Sequence, residues 1–125
     1  MVLVKDPSVS LINHFDGPEI VAIEVMYADD LVTVTVSGEL DVSNTAWLHD
    51  TLHDAIDSGA ADVVLDVGAV IFIDSTGLAV IAGAHNRMQT AGGTLAILHP
   101  TPGIARLLQI AGLLPLPTVS GLRSP

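Results

Sequence analysis

The chain reads as an α/β fold: a small mixed sheet with an N-terminal antiparallel hairpin, parallel βαβ crossovers and helices packed mainly on one face. Three observations predict it. Residues 31–38 alternate Val32, Val34 and Val36 with Thr33, Thr35 and Ser37, the period-two pattern of a strand with one covered face. Val63-Val64-Leu65 and Ile71-Phe72-Ile73 are near-continuous apolar runs flanking a break at Gly68, as in a central strand covered on both faces. After residue 60, strand and helix patterns alternate, which implies right-handed parallel crossovers.

The elements follow in order. Residues 1–18 mix apolar stretches with Pro7, Asn13, Asp16, Gly17 and Pro18 and keep no period, so 1–19 is an extension and 20–125 a single domain. Residues 20–27 form the first strand of the hairpin, 28–30 its turn and 31–38 the second strand. Asp41 or Ser43 caps a helix in which Leu48, Leu52, Ala55 and Ile56 recur at helical spacing, with Gly59 as its stop. A second helix runs from Ser75 to about residue 91 and ends at Gly92-Gly93; residues 94–98 return as a strand. Thr101-Pro102 caps and starts a last helix carrying Ile104, Leu107, Leu108 and Ala111 on one side, with Gly112 as its stop. No internal repeat is present.

Composition narrows the function classes. A chain of 125 residues with 50% apolar content builds one core without staples. The absence of cysteine excludes disulfides, thiolate zinc sites and cysteine nucleophiles, and agrees with a reducing cytoplasm. The longest apolar run in the helical region, 78–84, is far short of the roughly 20 residues a spanning helix needs, and the N-terminus has no basic stretch leading into an apolar one. The reading is a cytoplasmic protein with no membrane association. A net charge of −10 opposes any hold on nucleic acid. All fourteen acids lie between Asp6 and Asp74, and from Ser75 onward the only formal charges are Arg87, Arg106 and Arg123. That later half is either a buried, helix-rich part of the core or a sparsely charged partner-binding face.

Ser75 carries the chemistry. In Ile71-Phe72-Ile73-Asp74-Ser75-Thr76-Gly77-Leu78 a short apolar strand gives way to a helix, which sets this hydroxyl over the positive end of the helix dipole. A phosphoryl group there is locally stabilised. The bland reading of Ser75 is an ordinary N-cap. Gly77 either leaves room for a nucleotide-bearing partner or packs the helix tightly on the sheet. Asp41 serves as a helix cap, takes part in phosphoryl transfer, or both. Asp66 ends an apolar run but lacks the acidic pair and later lysine of a receiver domain, so it is a strand-end turn residue. His49 and His53 sit four apart, as metal ligands can, but without a third ligand they read as a solvated face. Residues 76–84 hold Gly77, Gly83, three alanines and no charge. Exposed positions among them form a small-residue apolar patch that a partner backbone can approach, unless the N-terminal extension buries this helix on all sides.

From residue 22 to 114 the chain resembles the STAS-domain anti-sigma factor antagonists of bacteria. The resemblance rests on ordered pieces: Ser37-Gly38-Glu39-Leu40-Asp41, Val64-Leu65-Asp66-Val67, Ile73-Asp74-Ser75-Thr76-Gly77-Leu78, Gly92-Gly93, and Arg106-Leu107-Leu108 followed by Ala111-Gly112-Leu113. It implies that Ser75 is the phosphoacceptor, with Asp41, Asp74, Thr76 and Gly77 beside it. The implied partner is a serine-kinase anti-sigma factor that also sequesters a sigma factor, reset by a PP2C-type phosphatase, as in stress-response and sporulation-like partner switching. The partner surface expected from it comprises Gly38, Glu39, Asp41, Ser43, Ser75, Thr76, Leu78 and Ala79. No cofactor, metal or small-molecule substrate is implied, and the chain is a substrate rather than an enzyme.

Two other classes compete. One is a STAS subunit of a sensory or lipid-transport assembly in which Ser75 is never modified. The other is a serine hydrolase pairing Ser75 with His85 or His99. His85 lies ten residues along the same helix, about 15 Å away, and no G-x-S-x-G elbow is present. Asp-Ser-Thr-Gly has one residue too many for the aspartic-protease signature. The chain departs from the family in about twenty extra N-terminal residues and in Pro115 and Pro117, which confine any last strand to an edge.

Overall fold

The computed structural model describes residues 2–6, 9–16, 19–113 and 118–119, with side chains from Val21 to Leu113. Its strands form one sheet of seven, in the order of the chain: β1 (Val2–Asp6), β2 (Val9–Asp16), β3 (Glu19–Ala28), β4 (Leu31–Leu40), β5 (Asp62–Ile73), β6 (Thr94–Leu98) and β7 (Thr118–Val119). The first four run antiparallel to their neighbours, and β4 through β7 are parallel. Helices α1 (Thr45–Asp57) and α2 (Ser75–Thr90) make the β4–β5 and β5–β6 crossovers, and α3 (Pro102–Ile110) follows β6. The extension, patternless in sequence, supplies β1 and β2, and β2 pairs with β3 along eight residues.

The hairpin forms as its alternation requires. Asp29 takes a left-handed φ of 55° in the turn, a conformation that aspartate tolerates better than most residues. Ile23 and Val25 then oppose Val36 and Val34, and these four with Val21 and Val32 lie on the buried face. Beneath them pack Leu48, Leu52, Ala55 and Ile56 of α1 and Ile81, Ala84 and Met88 of α2, all one cluster with Val63, Leu65, Leu95 and Ile97. At about 25 cal/mol per Å² of buried apolar surface this cluster is the main stabilising term.

Strand β5 departs from expectation in two ways. It runs unbroken across Gly68, and the expected break is instead a one-residue irregularity against β4: Thr35 pairs with Asp66 but Ser37 with Ala69. A second follows between Gly38 and Glu39. Each inserts an extra residue that bends the strand. Nor is β5 covered along its whole length. β6 pairs with it only through Asp66, since β6 ends at Leu98 and His99 turns away with a φ of 58°. Ile71 is consequently 75% and Phe72 48% exposed. An open apolar groove of about 540 Å³ lies here, lined by Val70, Ile71 and Phe72 with Ile104 and Leu107 of α3. Leu107 is therefore not a core residue of α3 like Ile104 and Leu108 but a partly exposed one, and Ala111 is exposed.

Candidate functional site

Parallel pairing brings the ends of β4 and β5 together, Leu40 beside Ile73. The Asp74 backbone N–H donates to the Leu40 carbonyl at 3.0 Å, so the loop after β4 and the start of α2 form one surface.

Asp74, not Ser75, is the N-cap of α2. Its Oδ1 accepts from the backbone N–H groups of Thr76 at 2.9 Å and Gly77 at 3.1 Å, and from the Thr76 hydroxyl. The Thr76 hydroxyl is the main cause that holds the Asp74 carboxyl below the usual carboxylate range; burial opposes it, and backbone N–H groups of Gly77, Thr76 and Val42 reinforce it. Ser75 occupies the first helical position. It is exposed, and its hydroxyl has no hydrogen-bond partner among the described residues. Thr76 points the other way: its hydroxyl serves Asp74 and lies 3.4 Å from the hydroxyl of buried Thr45.

The loop between β4 and α1 is organised by Asn44. This buried side chain donates to the Glu39 carbonyl at 2.8 Å and accepts from the Asp41 N–H at 3.1 Å. The expectation that Asp41 or Ser43 caps α1 is corrected: the N-cap is Asn44, with no side-chain cap bond. Asp41 contributes differently. Its carbonyl accepts from the N–H groups of Asn44 and Thr45, and its Oδ1 accepts from the N–H and hydroxyl of Ser43. Gly38 bends the end of β4 at a φ of 102°.

The other singled-out residues divide cleanly. Gly77 is buried, and a Cβ there would meet Ile73 Cγ1 at 2.6 Å, so it packs helix on strand and does not open room for a partner. Leu78 is half-buried against the core, whereas Ala79, Gly83 and Ser43 are exposed. Helix α2 is thus not buried on all sides. Asp66 lies within β5 at its first irregularity, accepting from the Gly68 N–H at 2.9 Å and facing His99 Nδ1 at 3.6 Å. His85 Nδ1 is buried without a hydrogen-bond partner, and neither His85 nor His99 bonds to Ser75. His49 and His53 stack with ring centroids 4.1 Å apart, and His53 Nδ1 meets an Arg87 nitrogen at 2.8 Å. No group of three metal-ligating side chains occurs among the described residues. No helix there is long and apolar enough to cross a membrane.

Sequence reasoning missed Val42, Asn44 and Thr45. The one available signal was the run of cap-forming residues in Asp41-Val42-Ser43-Asn44-Thr45, which does not reveal which of them is buried.

With this geometry in place, comparison with known proteins identifies the class. Residues 22–121 match the STAS domain, and the chain belongs to that family. Within it the chain is similar to anti-sigma factor antagonists. It is 35% identical over 91 residues to an anti-sigma-B factor antagonist of Staphylococcus epidermidis, covering 73% of this chain and 84% of that one. The fold also matches an anti-sigma factor antagonist of Mycobacterium paratuberculosis, with a TM-score of 0.75 and 24% identity over 86% of this chain and 92% of the other. The phosphorylated form of the Bacillus cell-fate determinant SpoIIAA matches with a TM-score of 0.65 and 23% identity, over 78% and 91%.

Proposed function

We propose that the chain is a phospho-switched interaction module whose phosphoacceptor is Ser75. Unphosphorylated, it binds a serine-kinase anti-sigma factor in the cytoplasm and so releases a sigma factor; phosphorylated, it lets go, and a PP2C-type phosphatase resets it. The single observation that carries this reading is the division of labour at the start of α2. Thr76 spends its hydroxyl on Asp74 and faces Thr45, whereas the Ser75 hydroxyl is exposed and has no partner among the described residues. A nucleophile must reach a phosphoryl donor held by another protein, and of the two adjacent hydroxyls only that of Ser75 is presented. The reading is further supported by a relative of the same fold that exists in a phosphorylated form.

The partner surface comprises Ser75 and Ala79 on α2 with Glu39, Asp41 and Ser43 on the facing loop. Gly38, Thr76 and Leu78 shape this surface from beneath or behind. Intact-mass measurement after incubation with ATP and each candidate host kinase tests the assignment. One added phosphate is expected, mapped to Ser75 by peptide fragmentation and abolished in Ser75→Ala. Phosphate at Thr76, or phosphate that survives the Ser75→Ala substitution, overturns it.

A further inference from the structure

Helices α1 and α2 are fastened together at their C-terminal ends, away from Ser75, by a contact that only a neutral histidine can make. Arg87, in the last turn of α2, sets Nη1 2.8 Å from His53 Nδ1 and donates from Nη2 to Asp57 Oδ1. A guanidinium carries donors only and stays charged. His53 Nδ1 is therefore the acceptor, which fixes the imidazole as neutral with its proton on Nε2. His53 and Asp57 stand one turn apart on α1, so the planar fork of a single arginine spans both.

This arrangement has a built-in competitor. A proton on His53 Nδ1 turns the acceptor into a donor facing a donor, with two like charges at hydrogen-bond distance, and the contact to Arg87 cannot persist. The new imidazolium stands one turn from Asp57 and seeks the carboxylate that Arg87 already holds. The charged and titratable groups that act on His53 are His49, Asp50 and Asp57 from α1 and Arg87 from α2; Asp54, its chain neighbour, is exposed. His49 reinforces the effect, since its ring stacks on that of His53 at 4.1 Å and meets Asp50 at 3.2 Å. The Arg87–Asp57 ion pair is 42% and 59% exposed and is worth little by itself. What responds to acid is the exchange of partners.

We propose that His53, Arg87 and Asp57 form a proton-operated latch between α1 and α2: neutral His53 holds Arg87 across the seam, and protonated His53 expels it, takes over Asp57 and frees the last turn of α2. The ordinary histidine pKa of about 6.5 puts such an exchange near neutrality, and burial with the positive neighbours moves it to more acid pH. The latch does not depend on the reading of Ser75 as phosphoacceptor.

NMR of the isotope-labelled full chain between about pH 7.5 and pH 5 tests it. At the upper pH the His53 ring is expected as the Nε2–H tautomer, and on acidification the Arg87 side-chain N–H resonance is expected to move with the midpoint of His53. The Ala91 amide, which donates to the Arg87 carbonyl at 3.1 Å, reports on the freed turn. Corrected for the intrinsic pH dependence, its exchange is expected to rise at least about threefold across the titration. His53→Gln keeps an acceptor for Arg87 but nothing that titrates, and there the rise is expected to stay below about 1.5-fold. A proton on Nδ1 at the upper pH overturns the proposal. So does an Ala91 amide indifferent to pH in the wild type, or one equally accelerated in His53→Gln. Should that variant fail to fold, the tautomer and the shared His53–Arg87 midpoint of the wild type decide: separate midpoints overturn the latch.

Discussion

At the scale of single residues, the Asp74-Ser75-Thr76 run shows what spacing does and does not reveal. A polar cluster at the end of an apolar strand marks a helix start, but three consecutive residues there can all cap, and only the backbone angles choose among them. Asp74 takes the extended conformation of a cap, with φ −100° and ψ −175°, which turns Ser75 outward and Thr76 inward. Removing the cap in Asp74→Ala orphans two backbone N–H groups and the Thr76 hydroxyl. A loss of about 1–2 kcal/mol is expected, read as a lower urea midpoint at unchanged slope. The charge adds a pH signature. Because the folded-state pKa of Asp74 lies below the unfolded one, its contribution is fully present above the unfolded value of about 3.9 and is lost as pH falls through the lower folded value. The stability gap between wild type and Asp74→Asn should therefore narrow over that acidic window. A gap constant from pH 7 down to pH 3 would show that the carboxylate charge contributes nothing.

At the scale of elements, α2 joins two environments that its composition cannot separate. Gly77 and Gly83 are both helical glycines in a small-residue run, yet one faces the sheet and the other nothing. A methyl at position 77 would collide with Ile73, while at 83 it would meet, apart from its own helix backbone and chain neighbours, nothing within 4 Å among the described residues. Gly77→Ala should destabilise by about 1–3 kcal/mol through overpacking, and Gly83→Ala should stabilise by about 0.5–1 kcal/mol through helix propensity. Thermal melts of the pair check both signs at once. The outer edge where α2 meets α1 carries a second pH-dependent device. Arg87 bridges His53 and Asp57 of α1, and burial, then the neighbouring His49 and Arg87, hold the His53 pKa below its ordinary value, against Asp57 and Asp50. Neutral His53 thus stabilises fully above about pH 6.5, and this contribution is lost as pH falls through the lower folded value. Replacing His53 by Gln should flatten the fall in stability between pH 7 and pH 5; an unaltered slope would assign that fall to other groups.

At the scale of the whole molecule, legibility followed periodicity. The hairpin, the three helices and β6 were readable because alternation, helical spacing and glycine stops agree with one another. The two bulges of β5, the exposure of Ile71 and Phe72, and the extension's place in the sheet were not, because each depends on which strand happens to lie alongside. Of the site, Ser75 and its segment were legible as a motif, whereas Asn44 and Thr45 act through contacts across the loop and helix start that no local pattern encodes. The structure also bears on how such a switch acts. The core cluster under the sheet is built from apolar side chains, and the exposed Ser75 hydroxyl lies outside it with no hydrogen-bond partner among the described residues. A phosphate there gains about 0.3–1 kcal/mol from the helix terminus, less where Asp74 already holds the N–H groups. For any carboxylate as near as about 6 Å it would lose roughly 2–3 kcal/mol per unit charge at an effective dielectric near 20, before salt screening reduces this. On an open surface the fold tolerates that balance. Inside a desolvated interface the same charge forfeits its water, and every 1.4 kcal/mol or so weakens binding tenfold. Ser75→Ala is therefore expected to bind the proposed kinase partner at least tenfold more tightly than Ser75→Glu, with melting temperatures within a few degrees of each other. Equal dissociation constants for the two folded variants would refute a charge-operated interface, and a large gap in their melting temperatures would place the effect in the fold instead.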